Sequence, residues 1–238
     1  MIVLLKLLLA HFVGDFVLQP KSWVADKERS KAKSPKLYLH ILLHGLLVLI
    51  VLWDWNYWLL ALAVTIAHGA IDLVKLYAQK ADNKPRWFLI DQGMHLVALS
   101  LLWSTWFHPS WYDYFPVVDT VDIWLYATAI IFLTAVSGIA IQMVLSTWAK
   151  VLDDGHEESL QNAGRYIGIL ERLFVFTFVV TGNWEAIGFL LAAKSVFRFG
   201  DLKESKDRKL TEYILIGTLL SFGTAIATGM LVTWLATV

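Results

Sequence analysis

Long apolar runs recur along this chain and are separated by short polar stretches. A helix of about 20 apolar residues is long enough to cross the roughly 30 Å hydrocarbon core of a bilayer. The pattern therefore predicts an all-α fold, a polytopic membrane helix bundle with eight transmembrane helices. Their approximate spans are 2–19, 37–53, 57–79, 87–106, 122–149, 163–181, 184–200 and 210–236.

Lysine and arginine are concentrated in every second connection between these predicted helices. Basic residues fill the segment 20–36 and recur after the third, fifth and seventh helices, whereas 53–57, 107–121 and 181–184 contain none. Because cytoplasmic loops carry an excess of Lys and Arg, this alternation predicts that both termini are extracytoplasmic. It also supports an even number of spans.

The composition agrees with a membrane protein and limits the chemistry available to it. Hydrophobic residues make up 58% of the chain and charged residues only 17%, below the roughly 25% of soluble domains. Cysteine is absent, so any metal site must use nitrogen and oxygen ligands. We expect a single membrane domain, 1–238, with a His/Asp-rich half at 1–106 and a basic and polar half at 122–238. The net charge of zero says little, because positive charge is segregated along the chain; no nucleic-acid partner is expected.

Each of the first four predicted helices carries a pair of His or Asp residues spaced i to i+4, which places both side chains on one helix face. The pairs are His11 and Asp15, His40 and His44, His68 and Asp72, and Asp91 and His95. Polar groups in hydrocarbon are costly unless they pair, bind ions or line a cavity. At 1.5 Å of rise per residue, all eight groups fall within roughly 6–17 Å of the predicted cytoplasmic side.

This common depth predicts a metal site between the helices. A tetrahedral zinc ion takes four ligands, so eight groups suit one or two divalent transition-metal ions, Zn first and Mn or Fe as alternatives. The carboxylates of Asp15, Asp72 and Asp91 are candidates for bridging the ions or acting as the catalytic base. The competing interpretation is that the groups only form hydrogen bonds between helices.

The second half carries a separate group of basic residues. Arg172, Lys194 and Arg198 are predicted to bind an anionic substrate group, because an arginine fork matches phosphate oxygens and lysine supplies a point charge. The alternative is that they form ion pairs within the membrane with Glu171 or Glu212.

Several of these motifs resemble the DUF3307 family of uncharacterised bacterial membrane proteins. They are His11-Phe-Val-Gly-Asp15-Phe-Val-Leu-Gln19, the His40/His44 pair, His68-Gly-Ala-Ile-Asp72-Leu-Val-Lys75, Asp91-Gln-Gly-Met-His95, Gly168-Ile-Leu-Glu171-Arg172, Lys194-Ser-Val-Phe-Arg198 and Glu212-Tyr213 with Gly217-Thr218. The resemblance implies a location in the bacterial cytoplasmic (inner) membrane. It implies no activity, since none is established for the family.

The leading functional hypothesis is a membrane-embedded metal-dependent hydrolase. It would act on a lipid or phospholipid ester that enters from the cytoplasmic leaflet, so its partner is membrane lipid. The alternatives are a divalent cation or proton transporter, a di-iron or haem redox protein, and a structural membrane subunit.

Overall fold

The structure, a computed structural model, describes residues 1–107, 121–149, 163–199 and 207–237. The secondary structure in these ranges is helical, with no strand, which confirms the all-α prediction. The α-helices are α1 Ile2–Phe12, α2 Lys21–Ser30, α3 Pro35–Leu52, α4 Trp58–Ala78, α5 Lys84–Phe107, α6 Val121–Ile131, α7 Ser137–Ala149, α8 Ala163–Val180, α9 Trp184–Phe199 and α10 Asp207–Thr237. A π-helical turn, Val13–Val17, follows α1, and a second one, Phe132–Val136, joins α6 to α7.

A helix overlaps each of the eight predicted spans, but fewer than eight are clearly membrane-spanning. Within the described ranges, four segments are long and apolar enough to cross a membrane: Pro35–Leu52, Trp55–Ala78, Ile123–Trp148 and Thr211–Thr237. A fifth is added if Ile2–Val17 and Lys21–Lys33, bent by 85° relative to each other, form one span. These apolar helices indicate a membrane protein with four to five candidate spans.

The remaining helices are less suited to spanning for local reasons. Helix α9 has only 16 residues, fewer than the roughly 20 that a bilayer requires. Charged residues interrupt α8 at Arg165, Glu171 and Arg172. Helix α5 carries Asp91 and His95 in its first half. These polar residues reduce the hydropathy that the prediction of eight spans depended on.

Helix α2 lies where the sequence pattern predicts only a basic loop. Pro20, in extended backbone geometry, is its N-cap residue, and Lys31, at φ 50°, is its C-cap residue. Pro20 has φ −65°, the value to which its ring restricts it. The helix is too polar to show an apolar stripe, so the hydrophobic pattern does not reveal it. Its stability instead depends on tertiary contacts, which also position the candidate site.

The described chain divides into two compact units, Met1–Ile131 (unit 1) and Phe132–Thr237 (unit 2). In unit 1, α4 packs between α3 and α5, and α1 packs against α3, α5 and α6. Short connections at 53–57 and 79–83 make α3, α4 and α5 antiparallel neighbours. In unit 2, α8 packs against α9 and α10, and α7 also contacts α10.

Unit 1 separates into an apolar end and a polar end. The apolar end is a buried core formed by Leu7, Ala10, Val48, Leu52, Leu60, Ala61, Val64, Leu99 and Trp103. Each of its helices continues towards the opposite end, where the predicted His/Asp pairs lie. Since the four helices alternate in direction, their ligand-bearing segments meet in one polar layer.

Candidate metal centre

The Asp15 carboxylate lies at the centre of the polar layer of unit 1. Its Oδ1 is 3.1 Å from His44 Nε2, 3.2 Å from His40 Nε2 and 3.5 Å from His68 Nε2. Its Oδ2 is 3.9 Å from His11 Nε2. The four imidazoles are buried. One carboxylate therefore collects histidines from three helices in a water-poor environment, where charge interactions are strong.

The chain reaches this geometry through the π-helical turn Val13–Val17, which contains Asp15. Such turns insert one extra residue into a helix and are frequent at functional sites. Gly14, in the same turn, lies against α3: a Cβ there would be 2.5 Å from His44 Cε1. The approach of Asp15 to His44 therefore depends on a residue without a side chain at position 14.

Gly14→Ala is expected to destabilise unit 1 by about 1–3 kcal/mol, the usual range for overpacking a filled interior. The added methyl group must displace the His44 ring, so His44 also moves away from Asp15. The matched control is Gly93→Ala on α5, where a Cβ would meet nothing within 4 Å. Thermal unfolding of both variants in detergent measures the effect, and equal stabilities would contradict the close packing described above.

Gln92 connects the carboxylates and was not among the residues predicted for the site. Its Nε2 donates to Asp15 Oδ2 at 3.0 Å and to Asp91 Oδ2 at 3.2 Å. Its Oε1 accepts a hydrogen bond from His11 Nε2 at 3.2 Å. Gln92 therefore orients three of the predicted ligands. The available signal was its position beside Asp91 in a motif shared with a known family.

His95 has the hydrogen-bonding pattern of a histidine prepared to bind a metal. Its Nδ1 donates to the backbone carbonyl of Asp91 at 2.9 Å, so in the neutral ring Nε2 carries the lone pair. Metal-ligating histidines usually donate their other N–H group in this way. His95 Nε2 and Asp91 Oδ1 are both buried and have no hydrogen-bond partner among the described residues. Such orphaned atoms are unusual in a folded interior.

Two lysines enter the polar layer and neutralise the negative charge of two of its three carboxylates. Lys27 Nζ donates to Asp72 Oδ2 at 2.7 Å, and Lys75 Nζ donates to Asp91 Oδ2 at 2.7 Å. The Lys27 and Asp72 side chains are only 7% and 6% exposed, respectively. Asp15 is left with imidazoles and an amide as its neighbours, so it is the carboxylate with the greatest need of a cation.

Helix α2 carries Lys27 and is fixed to the rest of unit 1 at several points. Glu28 is 2.6 Å from Lys84 Nζ and accepts from Gln79 Nε2 at 3.3 Å. The Ser34 hydroxyl donates a hydrogen bond to the Asp26 carboxylate, which lies outside the four apolar helices. This bond lowers the pKa of the Asp26 carboxyl group. Helix α2 therefore covers the polar layer with Lys27 turned inward.

All eight predicted ligands meet in this layer, in three overlapping sets whose ligand atoms lie within 4.8 Å of one another. The sets are His11, Asp15, His44 and His68; His40, His68 and Asp72; and Asp72, Asp91 and His95. The first and third sets share no residue, so they could hold two separate ions. His40 Nε2 and His68 Nε2 are 3.0 Å apart, close to the roughly 3.3 Å that separates ligands on a tetrahedral ion with bonds of about 2.0–2.1 Å.

A small cavity adjoins four of the histidine rings. Its volume is about 10 Å³, approximately the room that one water molecule needs. One end is lined by His11, His44, His68 and His95, and the rest by Leu7, Val48, Val64, Ala67, Ile71, Ala98, Leu99 and Leu102. The cavity thus lies between the ligand cluster and the apolar core.

The residues predicted to bind an anionic substrate group lie in unit 2. Lys194 Nζ donates to Glu171 Oε2 at 2.7 Å. Arg172 Nε donates to the carbonyl of Leu133 at 2.6 Å, within the second π-helical turn. The Arg198 side chain lies outside the described residues. The Lys194–Glu171 contact is the ion pair expected under the alternative interpretation, and the anion-binding role stays a prediction.

Comparison with known proteins gives one match. The family model described as "Protein of unknown function (DUF3307)" matches residues 3–122, half of the chain, and this range contains all eight predicted ligands. The second-half motifs of the resemblance lie beyond it. No curated protein and no solved structure matches the chain.

Proposed function

The chain belongs to the DUF3307 family, and we propose that it is a membrane-embedded metal-dependent hydrolase that cleaves an ester or phosphoester of a membrane lipid. The observation that carries the proposal is the convergence of three buried histidine Nε2 atoms within 3.5 Å of one carboxylate oxygen, Asp15 Oδ1, in a side chain that is only 10% exposed. Imidazole and carboxylate groups grouped in this way are typical ligands of zinc.

The chemistry follows from the set of ligands. A bound zinc ion supplies a hydroxide-like nucleophile near neutral pH. His11, Asp15, His44 and His68 would hold one ion, while Asp91 Oδ1 and the lone pair of His95 are available to a second ion or to its water. Gln92 and Lys75 hold the Asp91 carboxylate in place. Nitrogen and oxygen ligands also accommodate Mn or Fe.

A lipid substrate is supported by where the polar layer lies in the proposed topology. We propose eight spans in the bacterial inner membrane with both termini outside, because basic connections alternate with uncharged or acidic ones. Three tryptophans at the α3–α4 connection, Trp53, Trp55 and Trp58, are 87%, 79% and 56% exposed. Exposed tryptophans are enriched at both membrane interfaces, so they suit a membrane surface, and the proposed topology makes it the outer one. The ligand cluster, at the other end of α3 and α4, then lies near the cytoplasmic leaflet, where lipid headgroups are accessible.

Two features of unit 1 favour hydrolysis over transport and over haem binding. Among the described residues, the buried core beyond the cluster is apolar and includes Val48, Leu60 and Trp103, so it offers little to bind a cation or proton crossing the membrane. The rings of His44 and His68 are stacked with centroids 3.6 Å apart, which leaves no gap between them for a haem.

The proposal is tested by metal analysis and lipid turnover on the same preparation. Protein purified without chelator is expected to contain one or two zinc, manganese or iron ions per chain and to hydrolyse a phospholipid or isoprenoid phosphate. His68→Ala, which changes a residue shared by two ligand sets, is expected to lose both properties. Asp54→Asn is the control, since the Asp54 side chain accepts a hydrogen bond from Asn56 N in the α3–α4 connection, away from the ligand cluster.

Two outcomes would contradict the proposal. Wild-type protein without metal would remove the hydrolase and di-iron functions together. Metal-loaded protein that moves cations into proteoliposomes and leaves every lipid intact would favour transport.

A further inference from the structure

We propose that the outward face of α2 binds the anionic headgroups of the membrane leaflet beside it. The surface consists of Lys21, Ala25 and Arg29 on α2, together with Lys33 in the turn that follows; all four residues are exposed. The inference concerns an interaction surface and does not depend on the metal or on hydrolysis.

The direction of α2 supports contact with a membrane surface. The segments Ile2–Val17 and Lys21–Lys33 meet at 85°. If α1 runs along the membrane normal with the other helices of unit 1, α2 lies nearly parallel to the membrane plane. Amphipathic helices with a basic face lie in the interface in this orientation and are attracted to anionic lipid.

One face of α2 contacts the polar layer, and the other is exposed. Lys27 points inward to Asp72. Lys21, Ala25 and Arg29 are four residues apart in sequence, so they share the opposite, exposed stripe. Lys21 and Lys33 have no ion-pair partner in the part of the chain that the structure describes, and the Arg29 side chain is 82% exposed.

The acidic side chains of α2 offset only part of this positive surface. Asp26 accepts a hydrogen bond from the Ser34 hydroxyl and forms an ion pair with Arg29, whose guanidinium nitrogen is 3.3 Å from Asp26 Oδ1. Glu28 is engaged by Lys84 and Gln79. Asp26 therefore offsets the charge of Arg29 in part, while Lys21 and Lys33 keep the outward surface positive. This charge is complementary to phosphatidylglycerol or another anionic phospholipid.

The expected preference for anionic over neutral lipid is large enough to measure. A Lys or Arg near an anionic surface changes the affinity by about fivefold, so Lys21 and Lys33 together give a preference on the order of 25-fold, to which the partly neutralised Arg29 adds. The attraction acts over a Debye length, about 10 Å in 0.1 M salt and about 3 Å in 1 M salt. Binding to headgroups is therefore expected to weaken strongly as salt is added.

The experiment uses the full chain in nanodiscs with a fluorophore on α2. The chain contains no cysteine, so Ala25→Cys gives a single attachment site for an environment-sensitive dye. With increasing phosphatidylglycerol in phosphatidylcholine, the emission is expected to shift to shorter wavelength, and 1 M salt is expected to reverse the shift. The triple variant Lys21→Glu, Arg29→Glu, Lys33→Glu is expected to lose the shift.

The matched control is Lys80→Glu with Arg86→Glu, which reverses two exposed basic residues near the α4–α5 connection and is expected to retain the shift. If the triple glutamate variant does not fold, the glutamine variants at the same positions give the same test without repulsion. Circular dichroism shows whether the variant is folded, and metal content shows whether the metal centre is intact. If both are unchanged, loss of the emission shift reflects the surface of α2 and not failure of the metal centre.

Three results would overturn the inference. They are an emission insensitive to phosphatidylglycerol, a shift that persists in the triple variant, and a response to a soluble acidic polypeptide but not to anionic nanodiscs. The last result would assign the surface to an acidic protein.

Discussion

Asp15→Asn is expected to lower the affinity for zinc by more than 100-fold and to abolish lipid hydrolysis. The substitution keeps the shape of the side chain but removes the charge towards which three histidine Nε2 atoms converge at 3.1–3.5 Å. Loss of a residue that only supports a ligand typically costs about 10–100-fold in metal affinity, and Asp15 is proposed to be a ligand itself. Metal content after gel filtration and competition with a zinc-binding dye measure the effect.

The Asp54→Asn protein provides the comparison, because it makes the same chemical change in a connection outside the cluster. Wild-type metal content in Asp15→Asn would show that the histidines hold the ion without this carboxylate. It would contradict the proposed role of Asp15 as a ligand. Equal losses in both variants would point to a general effect on folding.

Lys27→Met is expected to destabilise the metal-free protein by about 3–5 kcal/mol, the usual effect of removing one partner from a buried ion pair. The substitution leaves the Asp72 carboxylate, with its side chain only 6% exposed, without the ammonium group 2.7 Å away. Zinc is expected to restore most of the stability that the variant has lost, since the ion then supplies the missing positive charge. The gain in stability is therefore expected to be larger than in wild type. Unfolding in detergent, with chelator and with zinc, measures both effects.

The double variant Lys27→Met, Asp72→Leu separates the two roles of this pair. Replacing both partners by apolar residues can be nearly neutral, so the double variant is expected to be more stable than Lys27→Met in chelator. It is also expected to gain less from zinc, because a candidate ligand is absent. A Lys27→Met protein with wild-type stability in chelator would contradict the buried pair.

The histidine and aspartate cluster could be predicted from the sequence because its information is local. Spacing of i to i+4 fixes a shared face, and alternating helix directions fix a shared depth. Both inferences hold for His40 with His44 and for His68 with Asp72. The two ends of α8 could also be predicted, because polar residues flank its apolar run.

Other parts of the site depend on contacts between residues distant in sequence. Lys27 meets Asp72 across 45 positions, and in the sequence it is one of several basic residues typical of a cytoplasmic loop. The π-helical turn at Asp15 has no distinct residue signature, and the role of Gly14 becomes apparent only when His44 is placed beside it. The number of true spans is equally hard to infer, because the polar residues that form the cluster lower the hydropathy of the helices carrying them.

The cover that α2 forms over the polar layer bears on how long an ion would remain bound. The opposite end of unit 1 is closed by apolar side chains such as Leu60 and Val64, so a hydrated ion would exchange on the side of α2. On that route, the Lys27–Asp72 and Glu28–Lys84 contacts would have to open before an ion is released. Residence time would be set by the frequency of this opening, and isotopically labelled zinc would exchange slowly even in a large excess of free metal.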